Sequence, residues 1–301
     1  MAAPDSPAAR DGAPDPPEER DAHFRRLERQ WQEDVGQHLL DVPHGMPGSA
    51  AVFERQFQRV IDQLPLDAGG VIAEVGCGKG HFLDQARRAA GPGGPRFVGI
   101  DLSHAVHALP AKGLAGLQAD GEALPFADGS LVAMVYDGAL HHLIDYRAAL
   151  HDAYRALAPG GRIVIFEPVS SPFTRLVHRV LDPFIFKQVE YESPIDQEYK
   201  HAFLEAPVLE TLDALGMPFT LERTDALAYP MTGCYAGSVF ARSLAWMRFV
   251  MAVEGFCERV PVLRRLLAVL AWRFLVVARK PDAPAPHGAD APAAASPGAS
   301  D

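Results

Sequence analysis

Val71-Ile72-Ala73-Glu74-Val75-Gly76-Cys77-Gly78-Lys79-Gly80 is the stretch on which the reading of the whole chain turns. Its first half is an apolar run with one acid, the composition of a buried strand, and it breaks abruptly into alternating glycines. Glycine lets the backbone approach a ligand, so the loop amides are expected to stand bare towards one, helped by the positive end of a helix opening at His81. The spacing speaks against a dinucleotide: that fingerprint is G-x-G-x-x-G, whereas these glycines stand at 76, 78 and 80 with Glu74 two residues ahead. Taken alone, the run also fits a tight strand-to-helix turn that binds nothing.

Downstream, His81–Ala90 has helical patterning, and Gly91-Pro92-Gly93-Gly94-Pro95 ends it. Phe97–Ile100 is a short strand closing on Asp101-Leu102-Ser103, and a doubly wound fold places a ribose-binding carboxylate at such a tip; an N-cap is the alternative for Asp101, a purpose that Ser103 could also serve. Asp120-Gly121-Glu122-Ala123-Leu124-Pro125-Phe126 precedes a strand over Leu131–Tyr136, which ends at Asp137-Gly138-Ala139-Leu140-His141-His142. In an open parallel sheet the crevice lies outside the carboxyl ends of the strands, so residues 137 to 142 face it. A helix over 146–157, a Pro159-Gly160-Gly161 turn and a strand over 162–168 follow.

These junctions, across roughly residues 65 to 170, resemble the class I S-adenosylmethionine-dependent methyltransferases, in the small-molecule branch with the quinone-biosynthesis (type 11) enzymes. The resemblance implies an α/β, Rossmann-like, doubly wound seven-stranded sheet with an antiparallel last strand and helices on both faces, plus N-terminal helices and a helical insertion before that strand. It implies S-adenosylmethionine as cofactor, with Glu74, Gly76, Cys77, Gly78 and Gly80 at the first motif, and Asp101 and Leu102 beside the ribose. Asp120, Gly121 and Glu122 would surround adenine, and Asp137 and Leu140 would stand at the reactive end.

With 301 residues, 48% of them hydrophobic, the chain can bury a full core, and a net charge of −10 gives no reason to expect nucleic acid. Three cysteines without a C-x-x-C pair offer neither a disulfide framework nor a zinc site, which points to a reducing, cytoplasmic setting. Residues 1–20 and 281–301 are rich in Ala, Pro and acids, and are expected to be disordered tails rather than a signal peptide or anchor, leaving a domain over 21–280.

Around the core, residues 21–40 and 49–64 read as amphipathic helices, the second with Ser49 as N-cap; they either pad the sheet or form a lid. After a loosely helical 170–200 stretch come a helix over 205–215 and a strand over 219–223, and the closing strand is expected over 272–281. The insertion, about 236–270, carries two apolar helical patterns. From Arg242 to Lys280 there are eight basic residues against two acids, in a chain that is acidic overall. No apolar run approaches the ~20 residues of a bilayer span. The insertion could lie at a membrane interface, bind a lipid-like acceptor, form a homodimer contact, or only cap the sheet with snorkelling arginine stems.

Methyl transfer is an in-line displacement that needs alignment and no metal. For a hydroxyl acceptor a base helps, and His141 and His142 are best placed by sequence, with Tyr199 and His201 outside candidates; either of the first pair could instead cap or pack beneath the next helix. The leading reading is transfer to oxygen or carbon of a hydrophobic small-molecule or lipid-like acceptor. The alternatives are an aminopropyl transferase on the same fold and a non-catalytic membrane-surface or lipid-binding module.

Overall fold

The computed structural model describes residues 17–36, 45–169, 173, 176, 193–195, 205–232 and 239–282. Seven strands, β1 (Val71–Val75), β2 (Arg96–Asp101), β3 (Ala115–Gln118), β4 (Leu131–Asp137), β5 (Leu157–Pro168), β6 (Phe219–Thr224) and β7 (Arg273–Arg279), form one sheet in the order β3-β2-β1-β4-β5-β7-β6. β1 pairs in parallel with both β2 and β4, while β7 runs antiparallel to β5 and to β6. The expected fold class is the observed one.

The parallel strands are apolar on both faces because helices cover both. Ala73, Val75, Met134, Tyr136, Ile163 and Ile165 pack towards α4 (Tyr146–Ala156) and α5 (Glu205–Ala214). Ile72, Ala133, Val135, Val164 and Phe166 belong to the second cluster, with residues of α2 (Pro47–Ile61) and α3 (His81–Ala90). The order of the strands reverses between β1 and β4, which opens the crevice at their carboxyl ends.

Several boundaries differ from the sequence expectation. α1 spans Pro17–Trp31 and continues as a π-helical turn over Gln32–Gly36, so helix begins inside the expected 1–20 tail. The cause is local: Pro17 suits a first helical position, and Glu18 and Glu19 complement the dipole. Residues 37–40 of the expected helix lie outside the described residues. α2 starts at Pro47 with Met46 at the N-cap position, so Ser49 is not the cap; it sits buried inside the first turn. Proline's fixed φ starts the helix two residues early. β5 begins at Leu157 and takes in the Pro159-Gly160-Gly161 stretch, with a register shift between Leu131 and Ala133.

The insertion forms α6 (Leu244–Arg259) and α7 (Pro261–Leu270). Met247 and Val250 of α6 pack on Val52 of α2 and on Ala228. Gly48 permits this approach, since a Cβ there would lie 2.6 Å from Met247 Cγ and from the Ala241 carbonyl oxygen.

Candidate active site

Gly76, Gly78 and Gly80 all adopt positive φ, at 73°, 48° and 70°, so each needs the conformational freedom of glycine. At Gly76 a Cβ would also stand 2.7 Å from Ala139 Cβ, which ties the loop to the tip of β4. The expectation of bare amides is corrected. Gly76 and Cys77 donate to the Ile100 carbonyl (2.8 and 3.1 Å), Gly78 to Asp101 Oδ2 (2.7 Å) and Gly80 to the Cys77 carbonyl (2.8 Å). The loop amides hold the strand tips in register, so carboxylates are left as the main polar groups for a ligand.

Asp101 is the clasp between β1 and β2. Its Oδ1 accepts from the Ser103 amide (2.8 Å) and hydroxyl (2.6 Å) while Oδ2 holds Gly78, so Ser103, not Asp101, caps the following short helix. Leu102, half-buried, accepts from Gln118 Nε2 through its carbonyl (3.1 Å). The Cys77 thiol is buried in the core, donates to the Gly78 carbonyl (3.7 Å), and has its pKa pushed far up by burial together with Glu74 and Asp101.

Glu74 is buried and its Oε2 has no hydrogen-bond partner. Burial, then the charges of Asp137 and Asp101, raise its pKa well above the ordinary carboxylate value. An orphaned carboxylate oxygen in a low-dielectric site is costly unless a cationic partner completes it.

Asp120 and Glu122 stand one strand further on. Ala119 donates to the Asp101 carbonyl (3.1 Å), and Asp120 Oδ1 accepts from the Glu122 amide (3.0 Å). Gly121 lies so close to β1 that a Cβ would meet Val75 Cγ1 at 2.5 Å. Glu122 is less available than the sequence suggested: its Oε1 accepts from the amides of Ile144 and Asp145 (2.6 and 3.2 Å), where α4 is entered. Arg25 of α1 lies across both acids, with Nε 2.9 Å from Asp120 and Nη2 2.5 Å from Glu122.

Two further candidates are placed differently from expectation. Asp137, at the tip of β4, is paired with Arg273 of β7 (2.6 Å), and Leu140 is buried in the core beneath the site. Burial raises the Asp137 pKa even though Arg273 opposes it. Arg273 also donates to the Phe166 carbonyl (2.5 Å) and stacks over the Phe166 ring at 4.0 Å.

His141 and His142 lie side by side, ring centroids 4.0 Å apart, and each meets a carboxylate. His141 Nδ1 is 2.6 Å from Glu167 Oε2, while Glu167 Oε1 accepts from the amides of Ala139 and Leu140, both at 2.7 Å. His142 Nδ1 is 3.2 Å from Glu28 of α1 and 3.1 Å from Ser193 Oγ. Burial works to raise the pKa of both glutamates, but the surrounding hydrogen bonds and charges, those of the histidine partners foremost, together hold Glu167 and Glu28 below the ordinary value. Tyr199 and His201 lie outside the described residues.

Sequence reasoning missed Glu167, Arg273, Glu28 and Arg25. Glu167 had a usable signal, an acid at the carboxyl tip of β5. Arg25 and Glu28 had none, because their partners are remote in the chain: 97 residues separate Arg25 from Glu122. Among the described residues no group of His, Cys, Asp and Glu is arranged to hold a metal ion.

Residues 73–165 match a family model described as "Methyltransferase domain". Demethylmenaquinone methyltransferase of Symbiobacterium thermophilum is 31% identical over 140 residues, 43% of this chain and 54% of the relative. 2-phytyl-1,4-naphtoquinone methyltransferase of Thermosynechococcus vestitus is 27% identical over 187 residues, 58% of this chain and 82% of that one. Against several of the curated relatives it matches, the chain spans only about half of their length. Among solved structures, the cyclase SpnF gives a TM-score of 0.56 at 19% identity, covering 86% of this chain and 96% of that one. Phosphoethanolamine N-methyltransferase 2 of Haemonchus contortus in complex with S-adenosyl-L-methionine gives 0.53 at 17%, covering 84% and 60%. At these identities the structural likeness speaks for the fold, and the family match speaks for a methyltransferase domain over residues 73–165. Residues 73–165 thus carry a methyltransferase domain of the kind the family model describes, set in the α/β fold shared with these solved structures.

Proposed function

We propose that the chain moves a methyl group from S-adenosylmethionine to an oxygen or carbon atom of a small hydrophobic acceptor. The observation that carries this reading is the convergence of Glu74 and Asp101 on one left-handed glycine loop, with Asp137 close enough to perturb Glu74. The quinone substrates named for two of the relatives favour a hydrophobic acceptor.

The residues present fit the cofactor on chemical grounds. Glu74 offers a buried carboxylate oxygen without a partner, matched to the ammonium of the amino-acid portion. Asp101 would accept from ribose hydroxyls with lone pairs left after its local bonds, and Asp120 would lie on the adenine side. When bound, the cofactor supplies an electrophilic methyl group on a sulfonium.

The chain's own part is to orient, exclude water and manage one proton. Glu167, held below the ordinary carboxylate value, accepts from His141 Nδ1, and in the neutral tautomer which that bond selects Nε2 carries the lone pair. That nitrogen would take the proton from an acceptor hydroxyl or acidic carbon, an effect worth roughly 10²–10⁴ in rate. Alignment in a dry crevice supplies on the order of 7–11 kcal/mol more.

The test is transfer of a radiolabelled methyl group from S-adenosylmethionine into an organic extract of lipids and metabolites, with the product identified by mass spectrometry. Calorimetry with the cofactor runs alongside. Absence of cofactor binding would end the reading, and binding without label transfer to any acceptor would favour a silent binding module.

A further inference from the structure

We propose that the outer face of α6 and α7 is a docking surface for an anionic membrane. Trp246, Phe249, Val253 and Phe256 follow one another at three- and four-residue steps and form one stripe on α6, with Phe249 60% and Phe256 61% exposed. The aromatic rings are contiguous: Phe240 to Trp246 and Trp246 to Phe249 are each 5.8 Å between centroids. Val262, Leu266 and Val269 extend the apolar surface along α7, Val262 being 74% exposed.

On α6 the charges are sorted between the two sides of the helix. Both acids of the 239–270 segment turn inward: Glu254 is fully buried against Arg55 and the Leu227 amide (2.7 Å), and Glu258 pairs with Arg59 (2.6 Å). Arg242, Arg248, Arg259, Arg264 and Arg265 are all exposed. By the helical period, Arg248 and Arg259 border the α6 stripe and Arg265 borders that of α7. A chain of net charge −10 thus presents, on the outer face of α6, arginine and large apolar side chains with the acids withdrawn.

A symmetric self-contact would bring together two arginine-bordered faces whose acids, Glu254 and Glu258, are turned inward onto Arg55 and Arg59. An anionic lipid surface meets both features together, because phosphates take the guanidinium groups while the aromatic stripe sinks below the headgroups. Among the described residues no helix is long and apolar enough to cross a membrane, so the contact is peripheral.

The full chain would be sedimented with vesicles of phosphatidylglycerol and phosphatidylcholine, and with phosphatidylcholine alone. Binding to the anionic vesicles at least tenfold tighter than to the neutral ones, weakening as salt rises, is expected. A blue shift of tryptophan emission should accompany it and vanish in Trp246→Phe. Phe249→Ser/Phe256→Ser and Arg248→Gln/Arg259→Gln should each weaken vesicle binding tenfold or more, with melting temperature and cofactor affinity unchanged. No sedimentation with anionic vesicles at low salt would overturn the proposal, as would variants that bind like the parent. So would a dimer seen by analytical ultracentrifugation that Phe249→Ser/Phe256→Ser dissolves. Vesicle binding does not depend on methyl transfer, so this result and the functional assay fail or succeed separately.

Discussion

Glu167 holds His141 by one carboxylate oxygen at 2.6 Å and the backbone of Ala139 and Leu140 by the other at 2.7 Å. One buried side chain at the tip of β5 therefore fixes both the path of the β4 loop and the tautomer of its histidine. Removing the charge while keeping the shape separates these roles.

In Glu167→Gln, an amide oxygen can still accept from the two backbone amides, but its NH2 then faces Nδ1 and moves the histidine proton to Nε2. The expected outcome is a kcat lowered by about 10²-fold or more, with cofactor affinity within about threefold of the parent. A merely structural glutamate would show its loss in KM and melting temperature instead, and so the split between kcat and KM decides the matter. His141→Gln should show the same kinetic loss.

Glu74 predicts a pH-dependent affinity. Its folded pKa lies above the unfolded value, so it carries a proton in the free protein at pH values where an unfolded glutamate has lost one. Its contribution to stability is accordingly complete below the unfolded pKa and lost as pH rises through the folded one. Pairing with an ammonium would require the ionised form, so cofactor affinity should rise with pH across that window and binding should release protons. Calorimetry in buffers of different ionisation enthalpy measures the release; Glu74→Gln should bind more weakly and release none.

Asp101→Ala should weaken S-adenosylmethionine binding by about 1.5–3 kcal/mol, the cost of losing hydrogen bonds to a charged group. The same change frees the Gly78 amide, so the melting temperature should fall as well. Isothermal titration together with thermal denaturation records both, and unchanged affinity would remove Asp101 from the cofactor site.

Arg25 tests whether α1 is a lid or padding. Its bonds to Asp120 and Glu122 are partly solvent-exposed, so Arg25→Ala should cost less than about 1 kcal/mol of stability. If α1 closes the site, cofactor dissociation should nonetheless accelerate about tenfold in stopped-flow measurements. An unchanged off-rate would identify the helix as covering for the sheet.

Glu254→Ala should be the most destabilising of these changes, by about 3 kcal/mol, because Arg55 and the Leu227 amide would lose a buried acceptor. Thermal denaturation checks it, and a loss below about 1 kcal/mol would show that water or Asp225 takes over the partner role.

A buried parallel strand must be apolar along its length and must end where glycine lets the chain turn, and that local constraint is legible in the residues of β1, β2 and β4. Val71–Gly80, Asp101 and the Leu124-Pro125-Phe126 turn are local signals of that kind, legible wherever a neighbouring residue imposes the constraint. The sequence by itself also placed His141 and His142 at a strand tip, since that follows from strand order alone. Only the tertiary structure decided what each polar group faces: Asp137 meets Arg273, Glu122 meets Arg25 and the entry to α4, and the loop amides are taken by Ile100 and Asp101. Ion pairs and hydrogen bonds between remote segments leave no period or spacing in a sequence. They arise when packing of apolar faces brings the segments together, and the buried charges then settle on whichever partners that packing supplies.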